Sequence, residues 1–472
     1  MKRLSFIALN IFFLTCSSFG QGETFSFLQE DLNTIINRTA LDSFYQKLAD
    51  LESGKIRKVS IVHIGDSHIQ ADYMTGRLRY LFQDRYGNAG RGFVFPYRLA
   101  DSNSPRDIRS SSNIAWESRK SLYQNTGIPL GLAGMAIQTR HPGFLFEMEF
   151  KEGFFPQDPL FDKVTLFYQQ GHNSQDLSLG YFLPGIISEP APEPVRKYHT
   201  VRSGDTLYGL SLKYGCSVKD LQRWNGMRGT MLHIGKKLIV YSRGGSPTLA
   251  AKPFEPISTI STHDQPSGPG YSVCQLDTLM RSIVLKGVNG STDKNEACLF
   301  GMVCENSRRT GILYNAIGVN GATFAHYNSA AYFWDQLPVL EPDLIIVSLG
   351  TNESAGKPAD SLSVRTEVNL FLANLQRVAP GAPVLITTNP DILKRKRYTN
   401  PYGQIVRDIL VQTAEQRNLA AWDLYSLMGG LGSMKSWRQA GLSAGDYIHF
   451  AQSGYELQAD LLFEALISNA DN

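Results

Sequence analysis

A serine in Gly65-Asp66-Ser67-His68 stands where an apolar run, Val59 to Ile64, meets a helix-like pattern carrying Met74, Leu78, Leu81 and Phe82. The run is rich in β-branched residues and reads as a buried parallel strand, while Gly87 stops the helix. On such a turn a hydroxyl lies at the carboxyl edge of a sheet, where open α/β folds bind ligands. The N–H groups of the turn point outward and can stabilise a negative oxygen. Taken alone, these residues equally make an ordinary capped turn, so the chemistry depends on partners supplied elsewhere.

A serine nucleophile needs a base within hydrogen-bond reach and a group that orients the base. Of nine histidines, His449 lies three residues after Asp446 in Asp446-Tyr447-Ile448-His449, just before a final helical pattern from Leu457 to Ile467. From one short loop, Asp446 can fix the tautomer of His449 and stabilise its charged form. Two further strand ends carry donors suited to an oxyanion. Asn320-Gly321-Ala322 follows Ile312 to Ala316, and Gly321 permits close backbone approach. Gly350-Thr351-Asn352-Glu353 follows Leu344 to Leu349, and Asn352 offers a side-chain amide.

With these blocks in order, the chain resembles the SGNH (GDSL-type) hydrolases. The matching residues are Gly65-Asp66-Ser67, then Gly321, then Gly350-Thr351-Asn352, then Asp446 to His449. The resemblance covers about 56 to 100 and 305 to 470, and implies a doubly wound parallel sheet. It also implies Ser67 as nucleophile, His449 as base and Asp446 as its orienter. The Ser67 and Gly321 N–H groups and the Asn352 amide would form the oxyanion hole. Three departures are visible: Thr351 and Glu353 flank Asn352, Phe450 replaces a frequent proline, and the first two blocks are unusually far apart. Gly65-Asp66-Ser67-His68, with Asp72 close behind and a β-rich companion region, resembles the peptidoglycan O-acetylesterase branch. His68 either shapes the acyl pocket or packs beside the nucleophile.

The elements that must position these residues fall into an α/β domain split in sequence. A signal peptide occupies 1–20: Lys2 and Arg3 precede an apolar stretch, and Ser18-Phe19-Gly20 offers small residues for cleavage. Lipidation at Cys16 is the lesser alternative. Residues 21–55 form an N-terminal helical segment, and 56–100 and 306–472 are the two parts of the hydrolase domain. Gly87 to Gly92 reads as a loop near the site; it lacks the Lys and Ser/Thr of a phosphate loop. Between the two parts, 101–305 alternates apolar and polar residues in short runs such as Phe144 to Phe150, which predicts a β-sandwich-like insertion.

A small unit at 197–242 interrupts the insertion, between a proline-rich spacer (Glu189 to Pro194) and a Gly/Ser/Thr/Pro linker from Gly244 to Gly270. Its order is strand, helix (Leu207 to Tyr214), helix (Val218 to Trp224), strand. Tyr198-His199-Thr200-Val201-Arg202-Ser203-Gly204-Asp205-Thr206-Leu207, with Trp224-Asn225-Gly226 and Ile234-Gly235, resembles LysM, a βααβ module that binds N-acetylglucosamine-containing glycans. That resemblance implies a sugar groove lined by Gly204, Asp205, Thr206 and Leu207 on one side and Asn225, Gly226 and Met227 on the other.

A net charge of +3 is too small to argue for nucleic acid, and no later segment is apolar enough to span a membrane. The histidines lack metal-ligand spacing, and the expected chemistry needs no cofactor. Four cysteines survive processing (Cys216, Cys274, Cys298 and Cys304); disulfides and buried free thiols are both compatible with export. The expectation is a periplasmic or envelope-associated serine esterase that removes O-acetyl groups from a cell-wall glycan, peptidoglycan first. The alternatives are a glycan O-acetyltransferase using the same triad and a non-enzymatic LysM wall-binding protein.

Overall fold

The computed structural model describes residues 25–468 except 123–127, 155–157, 184–194, 203–204, 206, 208–209, 211–217, 228, 230, 243–252, 289–295, 331 and 356–360. The signal segment, Cys16, Cys216, Gly204, Thr206 and most of the first helix of the 197–242 unit lie outside the described residues.

The fold is mixed α/β, with one six-stranded, parallel-dominated sheet and two antiparallel sheets of five and six strands. The first has six strands in the order Ile35–Ile36, Ala420–Trp422, Val384–Thr387, Leu344–Ser348, Lys58–Gly65, Gly311–Gly318. Its five longer strands are parallel, and Ile35–Ile36 adds an antiparallel edge. Lys58–Gly65 is buried from Val59 onward because helices cover both faces. Val59 and Ile61 pack with Phe44, Leu78, Phe82 and Leu462. Val62 and Ile64 face the opposite core, which includes Val368, Phe371 and Leu410. The next strand in sequence lies on one side of Lys58–Gly65, and the one after it on the other. That reversal of strand order opens a crevice at the carboxyl end of Lys58–Gly65, where Ser67 sits.

The antiparallel sheets run Phe254–Ile260, Leu177–Phe182, Ser282–Gly287, Leu145–Phe150, Ile108–Ser112 and Gly268–Met280, Phe161–Gln170, Ala297–Glu305, Met135–Thr139, Glu117–Lys120. They share one core, in which Phe150 of the first lies edge-on to Phe161 of the second at 5.6 Å. That core continues into one face of the parallel sheet.

Three expectations are corrected. The glycine-rich loop is in part a strand, Gly90–Val94, paired with Ala297–Glu305. Its glycines allow close approach rather than looseness: Gly92 has φ +79°, and a Cβ there would lie 2.1 Å from the Tyr314 carbonyl. The linker to Gly270 ends early, because Phe254–Ile260 pairs with Leu177–Phe182 as an edge strand, its proline accommodated at a register shift between Pro256 and Ser258. The N-terminal segment forms one α-helix, Asp42–Glu52, preceded by two short 3-10 turns. The final helix begins at Gln452 rather than Leu457; Gly454 lets its first turn press on Leu442, whose carbonyl would lie 2.0 Å from a Cβ.

A buried, charge-balanced cluster joins helix Tyr73–Tyr86 to the β-region. Asp72 accepts from Arg79 and Arg91, and Arg91 also pairs with Asp107. Burial opposes the charge on Asp72, but the two guanidiniums outweigh it and hold the carboxyl at about 2.

Candidate active site

Ser67 opens a short helix, Ser67–Gln70, directly after its strand. Gly65 makes the turn possible: a Cβ there would meet Ile69 at 2.3 Å and the Ser348 carbonyl at 2.7 Å. Asp66 caps the helix, accepting from the His68 N–H at 3.0 Å. Tyr327 fixes the strand end by donating its hydroxyl to the Gly65 carbonyl at 2.7 Å.

The loop before the final helix meets this turn from 382 residues away. Ser67 Oγ lies 2.9 Å from His449 Nε2, and His449 Nδ1 lies 2.7 Å from Asp446 Oδ2. The other Asp446 oxygen accepts from the Ile448 and His449 N–H groups, both at 2.9 Å. Tyr447 takes φ +60° so that the loop can close on its own carboxylate. Burial raises the Asp446 pKa, but the hydrogen bonds from the imidazole and the two amides lower it further, and the net result lies below the usual value. An ionised Asp446 places the proton on Nδ1 and leaves Nε2 as the acceptor facing Ser67. A hydroxyl, an imidazole and a carboxylate in this line can move a proton off the serine.

On the other side of Ser67, the Ser67 and Gly321 N–H groups have no acceptor among the described residues. Gly321 has φ +81°. Asn352 is more constrained than its sequence position implies. Its amide donates to Asp66 Oδ2 at 3.1 Å and to the Ala322 carbonyl at 2.8 Å, so both N–H bonds are engaged. An oxyanion would have to share or replace one of these acceptors.

Gln70 escaped sequence reasoning. It is 1% exposed, and its carbonyl accepts from the Asn320 N–H at 2.7 Å, next to Gly321. Its amide donates to Ser102 Oγ and the Asn103 carbonyl, both at 2.8 Å. One side chain thus ties the helix that starts at Ser67 to the Gly321 loop. A buried polar residue three places after the serine was the available signal.

The departures from the family pattern have structural counterparts. Glu353 accepts from the Phe324 N–H at 2.8 Å, while its other oxygen is buried without a partner; burial pushes its carboxyl up to about 7. Asp66 is likewise raised by burial to about 6, against lowering by the His68 N–H, the His449 charge and the Thr351 hydroxyl. Phe450 packs against Trp437 at 5.1 Å and His68 at 5.8 Å. His68 itself lies 5.2 Å from the His449 ring, with Nδ1 2.9 Å from the Tyr455 hydroxyl. Burial, and then the His449 charge, lower its pKa to about 3, so it stays neutral.

In the 197–242 unit, Val195–Thr200 pairs with Lys237–Ser242, and Val218–Trp224 is helical. Leu207 is buried in the core of this unit, and Met227 packs against it. Asn225 holds helix to strand: it donates to Leu221 and Ile239 carbonyls, both at 2.8 Å, and accepts from the Ile239 N–H at 2.6 Å. Asp205 accepts from the Arg202 N–H and lies 2.7 Å from His199 Nε2. Gly226 takes φ +61°. These side chains therefore support the loops of the unit.

Among the described residues no group of three or more His, Cys, Asp or Glu is arranged to hold a metal ion, and Cys274, Cys298 and Cys304 are buried free thiols. No helix among them is long and apolar enough to cross a membrane.

Comparison with known proteins places these features. Residues 284–457 match the GDSL-like lipase/acylhydrolase family, a span that holds Gly321, Asn352, Asp446 and His449 but not Ser67, which lies before the insertion. Residues 199–240 match the LysM domain. A solved peptidoglycan O-acetylesterase superposes with a TM-score of 0.61 at 21% identity, covering 91% of this chain and 96% of that one. An autolysin of Enterococcus faecalis is 51% identical over 57 residues, 12% of this chain and 8% of its own. The membrane-bound lytic murein transglycosylase D of Escherichia coli is 40% identical over 65 residues, 14% of each chain. The chain thus spans about a tenth of the length of the curated relatives it matches. It carries a GDSL-like lipase/acylhydrolase domain and a LysM domain.

Proposed function

We propose that this protein is an exported serine carbohydrate esterase that removes O-acetyl groups from peptidoglycan, held to its substrate by the LysM domain. The observation that carries this reading is the continuous line Ser67 Oγ, His449 Nε2, His449 Nδ1, Asp446 Oδ2, with separations of 2.9 and 2.7 Å. The fold shared with a peptidoglycan O-acetylesterase supports the choice of ester, and the LysM domain supports the choice of glycan. Wall-associated relatives support the envelope as its location. The two antiparallel sheets are best understood as one β-sandwich-like insertion into a doubly wound hydrolase domain.

In this mechanism Ser67 Oγ attacks the acetyl carbonyl as His449 Nε2 takes its proton. Asp446 holds the ring and stabilises the imidazolium. The tetrahedral oxyanion is bound by the Ser67 and Gly321 N–H groups and by Asn352, which turns one N–H from Ala322 or Asp66 toward it. His449 then protonates the departing sugar oxygen. Water, deprotonated by His449, attacks the acetyl-serine, and the imidazolium returns that proton to Ser67 Oγ as the C–Oγ bond breaks and acetate leaves. The test is acetate release from O-acetylated peptidoglycan by wild type and Ser67→Ala. Equal rates overturn the mechanism; acetylated glycan formed from an added acetyl donor, in place of free acetate, reassigns it to transfer.

A further inference from the structure

A cavity of about 250 Å³ opens where the hydrolase helices meet the β-region, lined by Tyr73, Tyr80, Arg106, Phe154, Gln452 and Glu456 among others. It begins four residues after Ser67 and three after His449, since Ala71 and Gln452 both border it. A relay of rings leads back to the site. Tyr73 stacks on Tyr455 at 5.8 Å with an interplanar angle of 8°, Tyr455 lies 5.7 Å from His68, and His68 lies 5.2 Å from His449.

The wall chemistry is specific. Phe154 is 41% exposed, a large aromatic face left to solvent. Arg106 lies 5.6 Å over both Tyr73 and Phe154, and Lys151 lies 5.6 Å over Phe154. Of the other charges nearby, Asp72 and Asp107 belong to the buried cluster with Arg79 and Arg91, and Arg77 pairs with Asp460 at 2.8 Å, which leaves Glu456 as the one carboxylate set against the two cations. Glu456 accepts from Gln452, whose carbonyl in turn accepts from Arg106. Two exposed cations thus flank flat aromatic faces, an arrangement suited to a pyranose ring that bears a carboxylate.

We propose that this groove is a glycan subsite of the esterase, in which an acidic amino sugar of the strand packs on the exposed Phe154 ring with its carboxylate-bearing substituent toward Arg106 and Lys151, while Tyr73, stacked on Tyr455, forms the wall behind it. The inference rests on the peptidoglycan esterase reading and deepens it. It explains how the hydrolase domain itself selects a glycan ester without help from the LysM domain.

The experiment uses the full chain and p-nitrophenyl acetate, an ester too small to reach the groove. Soluble N-acetylglucosaminyl-N-acetylmuramyl peptides are added as competitors. They should inhibit wild type, while LysM occupancy alone should leave aryl acetate turnover unaffected. Phe154→Ala and Arg106→Ala should each raise the inhibition constant about tenfold relative to wild type. Neutral chitooligosaccharides should respond to Phe154→Ala but not to Arg106→Ala. Acetate release from O-acetylated peptidoglycan is measured in parallel. If acetate is released but the fragments do not inhibit, or inhibit both variants as they do wild type, the groove proposal is overturned and the esterase reading stands. If the fragments inhibit through Phe154 and Arg106 while no acetate is released from peptidoglycan, the groove stands as a glycan site and the proposed reaction falls.

Discussion

The Ser67 site and the LysM unit differ in how they are built. The site joins a strand end, two later strand ends and a loop 382 residues away, all registered by one parallel sheet. The LysM unit closes on itself within residues 195–242, strand to strand, with six buried apolar residues in its described core. A site of the first kind fails when any long-range contact slips, whereas one of the second kind stands or falls as a local unit. If that is right, the two can be damaged separately. Ser67→Ala should lower turnover of both aryl acetate and O-acetylated peptidoglycan by about 10⁴-fold or more. Retention on insoluble peptidoglycan should not change. A loss of retention in co-sedimentation would show that the two regions are coupled.

Gln70→Leu sharpens the same point from inside the site. It removes the acceptor for the Asn320 N–H and the donor to Ser102 and Asn103 without touching Ser67 or His449. Removing a single oxyanion donor costs about 10²- to 10³-fold in kcat, so loosening the loop that carries one should cost about 10- to 100-fold. The loss should fall on kcat with KM for aryl acetate little changed, because the contact matters only once the oxyanion forms. A matching rise in KM instead would assign Gln70 to substrate binding.

The reverse damage is Asn225→Ala. That side chain makes two hydrogen bonds to Ile239 of the strand and one back to Leu221 of the helix, and leaving the Ile239 groups unpaired costs about 1–3 kcal/mol each. Retention on peptidoglycan and acetate release from insoluble wall should fall about tenfold, with aryl acetate turnover unchanged. Lost aryl acetate turnover would break the comparison.

The two regions also differed in what the sequence disclosed. The LysM unit could be read because its contacts are close along the chain and its turns carry their own residues. The hydrolase blocks could be read because three follow strands with unmistakable apolar runs and the fourth, Asp446 to His449, directly precedes the final helix. What stayed hidden was mainly non-local. Gly87 to Gly92 looks like a loop, since nothing near it says that Tyr314 will press against Gly92. Phe254–Ile260 looks like linker because its pairing partner lies more than seventy residues earlier. Asn352 shows a free amide in sequence, and only the fold brings Asp66 and Ala322 to occupy it.

Behind that amide, the sheet-built site also carries a cost that the LysM unit does not share. Glu353 is buried with one oxygen unpartnered, and its carboxyl is pushed from 4.5 up to about 7 by burial first. The folded state therefore holds a proton there that the unfolded chain has already released. Between about pH 4.5 and 7 the native state binds more protons, so stability falls as pH rises through that window and levels off above it. Glu353→Gln keeps an oxygen for the Phe324 N–H and cannot ionise. Relative to wild type, the variant should gain a few degrees in melting temperature on going from pH 5 to 7.5. The remaining shifted groups act on both proteins alike: Asp66, raised by burial to about 6, adds a fall, while His63 and His68, lowered by burial to about 3, add a rise up to pH 6.5. Parallel melting curves for the two proteins would mean that Glu353 is ionised throughout, with its buried oxygen satisfied by solvent.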